Sequence, residues 1–117
     1  RSDRIKNYDE YTEQTFIEIE ADIVNKGLEP TSISKILLNL DYKGIKDVEV
    51  YNSSFGKESS FKKIRVDSND RLSQRLSTLI YGLYLPNEIK EINATLIFHT
   101  THKDLKKGIK LIKTEII

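Results

Sequence analysis

The stretch Ile92-Asn93-Ala94-Thr95-Leu96-Ile97-Phe98-His99 decides the fold class. Ile92, Ala94, Leu96 and Phe98 share one parity, while Asn93, Thr95 and His99 hold the other, with Ile97 as the one apolar intruder. Side chains on a strand point alternately to opposite faces, so this spacing describes a strand with one buried face and one face toward water. The same alternation recurs at Ile17, Ile19, Ala21 and Ile23, with Glu18, Glu20 and Asp22 between them, and again at Ile36, Leu38, Leu40 and Tyr42. No stretch sustains a 3.6-residue period, and a single helical turn is expected at 87–91.

Turn chemistry separates these segments. A strand over about 15–25 stops at Asn25-Lys26-Gly27, where glycine is expected to supply a positive φ, and Pro30 keeps the connection extended. The next strand, about 34–43, ends near Gly44. Val48 and Val50 mark a third strand, Asn52-Ser53-Ser54 and Gly56 a loop, and Ile64 and Val66 a fourth strand closed by Asp67-Ser68-Asn69-Asp70. From Leu72 the pattern rebuilds into the apolar run Leu79-Ile80-Tyr81-Gly82-Leu83-Tyr84-Leu85, read as a strand either covered on both faces or forming half of a contact surface. After the strand at 92–101 comes a loop at 103–107, then a last strand carrying Ile109 and Leu111. About seven strands divided by turns predict an all-β antiparallel sandwich, with a closed barrel as the competitor. Residues 1–14 read as a linker or weak first strand and residues 15–117 as one domain.

Three stretches resemble, at the level of fold, the immunoglobulin-like sandwich modules of exported prokaryotic proteins. They are residues 19–25 running into Gly27, Pro30 and Ile33-Ser34-Lys35-Ile36; Leu83-Tyr84-Leu85-Pro86; and residues 92–101 with the basic final hairpin. The resemblance implies an immunoglobulin-like, extracytoplasmic module at the cell surface or anchored to a membrane. It brings no functional residues, since the chain has no cysteine pair, no tryptophan and no tyrosine-corner context.

Composition narrows the function classes. The chain has 117 residues, 38% hydrophobic and 32% charged, enough for one core without cross-links. Nineteen basic against eighteen acidic side chains leave a net charge of +1, so no global field draws nucleic acid. The halves differ: residues 1–60 carry 8 Lys/Arg and 12 Asp/Glu, residues 61–117 carry 11 and 6. Without cysteine there is neither disulfide nor thiolate zinc site. No apolar run approaches the ~18 to 20 residues of a membrane span. The chain begins at Arg1 and lacks methionine, which suggests a processed leader or a longer parent protein, with any membrane tether lying outside this chain.

His99 and His102 form His-x-x-His, but positions i and i+3 diverge on a strand, no thiolate can help and the nearby carboxylate Asp104 is a single one, so no metal site is expected; for nucleophilic catalysis, neither histidine has an evident Asp orienter. Glu18, Glu20 and Asp22 line one strand face, whereas glycosidase chemistry needs two carboxylates across a cleft. No nucleophile elbow or phosphate loop is present, so no catalytic residue or cofactor is expected. Lys103, Lys106, Lys107, Lys110 and Lys113 read as a charged edge that discourages sheet-to-sheet aggregation. Asn52 and Asn93 match the N-glycosylation pattern, Asn52 being the better placed.

The functional expectation is a non-catalytic interaction or spacer module, touching a protein partner or neighbouring domain through Phe16, Ile80, Gly82, Tyr84 and Ile97 on the face opposite the core. A carbohydrate-binding sandwich stacking sugars on Tyr51, Tyr81 or Tyr84 is the first alternative. An accessory domain of an enzyme with its active site elsewhere is the second.

Overall fold

The alternating segments form strands whose apolar parity meets in one shared interior. The computed structural model describes residues 4–9, 14–55, 58–83, 85–86 and 88–113. Its strands are β1 (Arg4–Asp9), β2 (Gln14–Val24), β3 (Thr31–Leu40), β4 (Val48–Glu49), β5 (Ser53–Phe55), β6 (Glu58–Ser60), β7 (Ile64–Val66), β8 (Arg71–Tyr81), β9 (Glu91–Thr100) and β10 (Asp104–Lys113). Strands beyond the expected seven are β1, in the segment read as a linker or weak strand, and the β5–β6 hairpin, in a stretch read as loop.

β2 pairs with β8 to make one layer, and β4-β3-β9-β10 make the other, with β7 on the start of β3. Ile17, Ile19 and Leu76 of the first layer pack against Ile36, Leu38, Leu96 and Phe98 of the second, giving a β-sandwich. Leu38, Leu40, Leu96 and Phe98, on the parity expected to be buried, are buried, and so is Leu83 of the apolar run. Register explains the parity: Ile17↔Thr78 and Ile19↔Leu76 face inward, while Glu18↔Ser77 and Glu20↔Arg75 face outward. In β3, Ile33 and Ile36 are three residues apart yet both buried, because the register shifts between Ile33 and Lys35 and the bulge turns the strand back to the same face.

The two layers are laced together along both sides. On one side Tyr51 and Ser77 exchange backbone hydrogen bonds of 2.8 Å each, just after β4 has paired with β3. On the other, β1 lies between the layers: Arg4 pairs antiparallel with Glu18 and parallel with Ile112. That parallel pair is the exception to the expected antiparallel arrangement, and every other pairing among the described strands is antiparallel.

One end of the sandwich is plugged by the chain that follows β8. Gly82, at φ +78°, turns the backbone away from the strand, and Leu83 and Leu85 then drop into the core. The Thr15 hydroxyl donates to the Leu83 carbonyl at 2.6 Å, and Lys113 Nζ donates to the Leu85 and Pro86 carbonyls at 2.8 and 3.1 Å. The apolar run at 79–85 is therefore a strand end joined to a plug, not a strand covered on both faces. Two turn expectations also change. Gly27 is not at positive φ; its N–H donates to Asn25 Oδ1 at 2.9 Å in an Asx turn. Near the expected helical turn, the Ile89 N–H donates to the Pro86 carbonyl, and no helix forms among the described residues.

Candidate binding groove

The opposite end stays open. β1 meets β10 only at Ile112 and Lys113 and β2 only between Gln14 and Glu18, so among the described residues no strand joins β2 to β10 past these points. A groove of about 670 Å³ occupies that gap. Its floor is Ile33, Leu96 and Phe98; one bank is Ala21 and Ile23 of β2, the other Leu105 and Lys107 of β10. The size falls within the usual range of ligand clefts.

Local sequence explains each wall. Inward parity on β10 is carried by Leu105, Lys107, Ile109 and Leu111, opposite Phe98, Leu96, Ala94 and Ile92. Ile109 and Leu111 are buried in the shared core, whereas Leu105, on the same parity, is 46% exposed. The third wall is the loop from β2 to β3. Asn25 holds it through Nδ2 bonds to the Glu29 carbonyl at 2.8 Å and the Val66 carbonyl at 3.0 Å, and the Ser68 hydroxyl donates to the Gly27 carbonyl. On this loop Leu28 is 95% exposed, and it projects at the groove rim with half-exposed Val24. Three of the large apolar side chains most exposed among the described residues thus gather at one mouth, a concentration that isolated surface leucines do not explain.

Charge is sorted across the opening. Glu18, Glu20 and Asp22 stand on the outer parity of β2, and two of them reach across to β8, Glu20 to Arg75 at 3.3 Å and Asp22 to the Ser73 hydroxyl at 2.6 Å. The lysines of β10 divide in two. Lys110 lies 3.7 Å from Glu91, and Lys113 is bonded to the plug carbonyls. Lys103, Lys106 and Lys107 line the groove and have no ion-pair partner among the described residues.

The residues expected to form one contact face separate. Ile80 pairs with Thr15 on the inner parity of β8 and packs against the core, which corrects its outward assignment; Leu79, opposite Phe16, is the outward residue. Phe16 lies outside the β2–β8 layer, whereas Ile97, beside Leu37 and Lys106, lies outside the other layer. Gly82 sits in the turn after β8, and Tyr84 falls outside the described residues. Phe16 and Ile97 therefore belong to opposite faces of the molecule.

Other candidates also resolve. His99 Nδ1 is 2.9 Å from Asp104 Oδ1, so a carboxylate does orient this histidine, contrary to expectation, because the β9–β10 register sets Asp104 opposite His99. The nearby Ser34 hydroxyl is directed to the His99 carbonyl, not to the ring. His102 lies apart, at the groove. Among the described residues no group of three or more His, Asp or Glu side chains is arranged to hold a metal ion. Asn52 is committed to structure: its Nδ2 donates to the Lys62 carbonyl at 2.8 Å and its Oδ1 accepts from the Lys62 N–H at 2.7 Å, which ties off the atom a glycan would need. Tyr51 is half-buried in the bridge to Ser77, and Tyr81 is exposed at the end of β8.

The groove is not legible in the sequence because, among the described residues, it is a strand-sized gap between two elements distant in the chain. Its one sequence signal was Leu105, apolar and in phase with Ile109 and Leu111 within a stretch read as a lysine-rich loop. Comparison with known proteins finds no matching family model, no matching curated relative and no matching solved structure.

Proposed function

We propose that this chain is a non-catalytic, immunoglobulin-like binding module of a larger exported or membrane-tethered protein, and that it binds through the groove between β2 and β10. The observation that carries the proposal is the apolar floor of Ile33, Leu96 and Phe98 left open beneath a rim of exposed Leu28 and Leu105. An apolar cleft with a few charged groups at its mouth is the usual form of a binding site. The immunoglobulin-like part is supported by strand order: β1-β2-β8 and β3-β9-β10 correspond to the A-B-E and C-F-G sets of such sandwiches, with β4 added beside β3.

An apolar anionic dye, 8-anilinonaphthalene-1-sulfonate, tests the groove directly. The folded domain is expected to bind the dye with enhanced fluorescence. Leu105→Glu and Ala21→Trp are expected to reduce that binding at least about fivefold while Ile97→Ser leaves it unchanged. Absence of dye binding by the native fold, or binding abolished by Ile97→Ser and untouched by Leu105→Glu, overturns the groove as the site.

A further inference from the structure

We propose that the groove takes an extended, acidic segment of a partner polypeptide, added as a strand along the open edge of β10. The inference rests on the groove being the binding site and names what fills it.

Backbone geometry favours a strand over a compact ligand. β1 already occupies the gap between β2 and β10 at the plugged end, hydrogen-bonded to both, so the two strands stand one strand apart there. Beyond that point, residues 22–24 and 104–108 present backbone donors and acceptors toward the gap, with no strand partner among the described residues on that side. An edge of this kind is a template for strand addition, in which main-chain bonds supply affinity and pockets for alternate side chains supply selectivity.

Side chains set the chemistry of the incoming segment. Residues of one parity would rest on Leu96, Phe98 and Leu105, so they are apolar. Lys103, Lys106 and Lys107 lie along the bank where it would pair, with no ion-pair partner among the described residues, and they outnumber Asp22 and Glu29, the carboxylates that line the same groove; of these, Asp22 accepts a hydrogen bond from the Ser73 hydroxyl of β8. Opposite charges on neighbouring strands are favourable and like charges are not, so the segment is acidic.

Titration of the ¹⁵N-labelled domain with two seven-residue peptides tests this, one alternating glutamate with valine and one alternating lysine with valine, with sodium decanoate as a free amphiphile carrying a carboxylate. The acidic peptide is expected to slow amide exchange at alternate positions within 104–108, to bind at least tenfold more tightly than the basic one, and to lose that preference in Lys106→Glu/Lys107→Glu. Equal binding of the two peptides, no protection of β10 amides, or displacement of the dye by decanoate but not by peptide overturns the strand. If the dye binds and neither peptide does, the groove stands as a site and only the strand proposal falls.

Discussion

Ile80 and Ile97 carry the same side chain at a similar degree of burial, yet they belong to different environments. Ile80 lies opposite Thr15 on the inner parity and packs on the core, while Ile97 lies beside Leu37 on the outer surface of the other layer. Ile80→Ser is expected to lower unfolding free energy by about 1 to 3 kcal/mol, because it removes buried apolar area and leaves a hydroxyl to be satisfied. Ile97→Ser loses only a cross-strand contact, about 1 kcal/mol or less. Chemical denaturation of the two variants checks the order, and an equal cost for both would return Ile80 to the surface. The sequence misassigned Ile80 because the run at 79–85 is apolar at both parities, and only the pairing of Ile80 with Thr15 and of Thr78 with Ile17 sets its phase. Where alternation was clean, as at Leu38, Leu40, Leu96 and Phe98, parity alone identified the buried side chains.

At the scale of elements, β2, β3, β8 and β9 were legible because each strand buries one face for ten or eleven residues, long enough for the period to show. The two- and three-residue strands β4, β5, β6 and β7 carry too few alternations for the period to show, and the composition around β5 and β6 is that of a loop. Connections were legible in composition but not in mechanism. The Asp67-Ser68-Asn69-Asp70 turn places Asn69 at φ +61°, as its composition suggests, whereas the loop after β2 is shaped by the Asn25 side chain. Asn25 makes two donor bonds and accepts a third, all to backbone groups, and one of them reaches β7. Asn25→Ala is therefore expected to cost about 1 to 2 kcal/mol and to loosen the wall that presents Leu28, since the Gly27 N–H and the Val66 carbonyl both lose a partner. A thermal melt gives the first quantity and the exchange rate of the Gly27 amide the second; an unchanged Gly27 rate would show that Ser68 alone holds the loop.

The whole molecule is asymmetric along its strands, and that asymmetry was invisible in the sequence because it depends on which distant strands come to lie side by side, β1 meeting β10 only at Ile112 and Lys113 among the described residues. At one end Leu83, Leu85 and the Lys113 ammonium seal the sandwich, and β1 hydrogen-bonds both layers; at the other, the same core continues into an open groove. The amides of β9 lie between two partner strands along most of its length, since β3 pairs with one edge and β10 with the other. β10 has β9 on one side and, among the described residues, meets β1 only at Ile112 and Lys113. Local opening follows burial and hydrogen bonding, so stability should fall along β10 from its end toward its beginning while β9 stays uniformly protected. Native-state hydrogen exchange on the domain alone is expected to rank residues 94–98 of β9 slowest, residues 109–111 of β10 next, and residues 104–108 fastest, by at least about a hundredfold between the extremes. Uniform protection along β10 would mean that its first half is already covered in solution, and an edge so covered has no room for another strand.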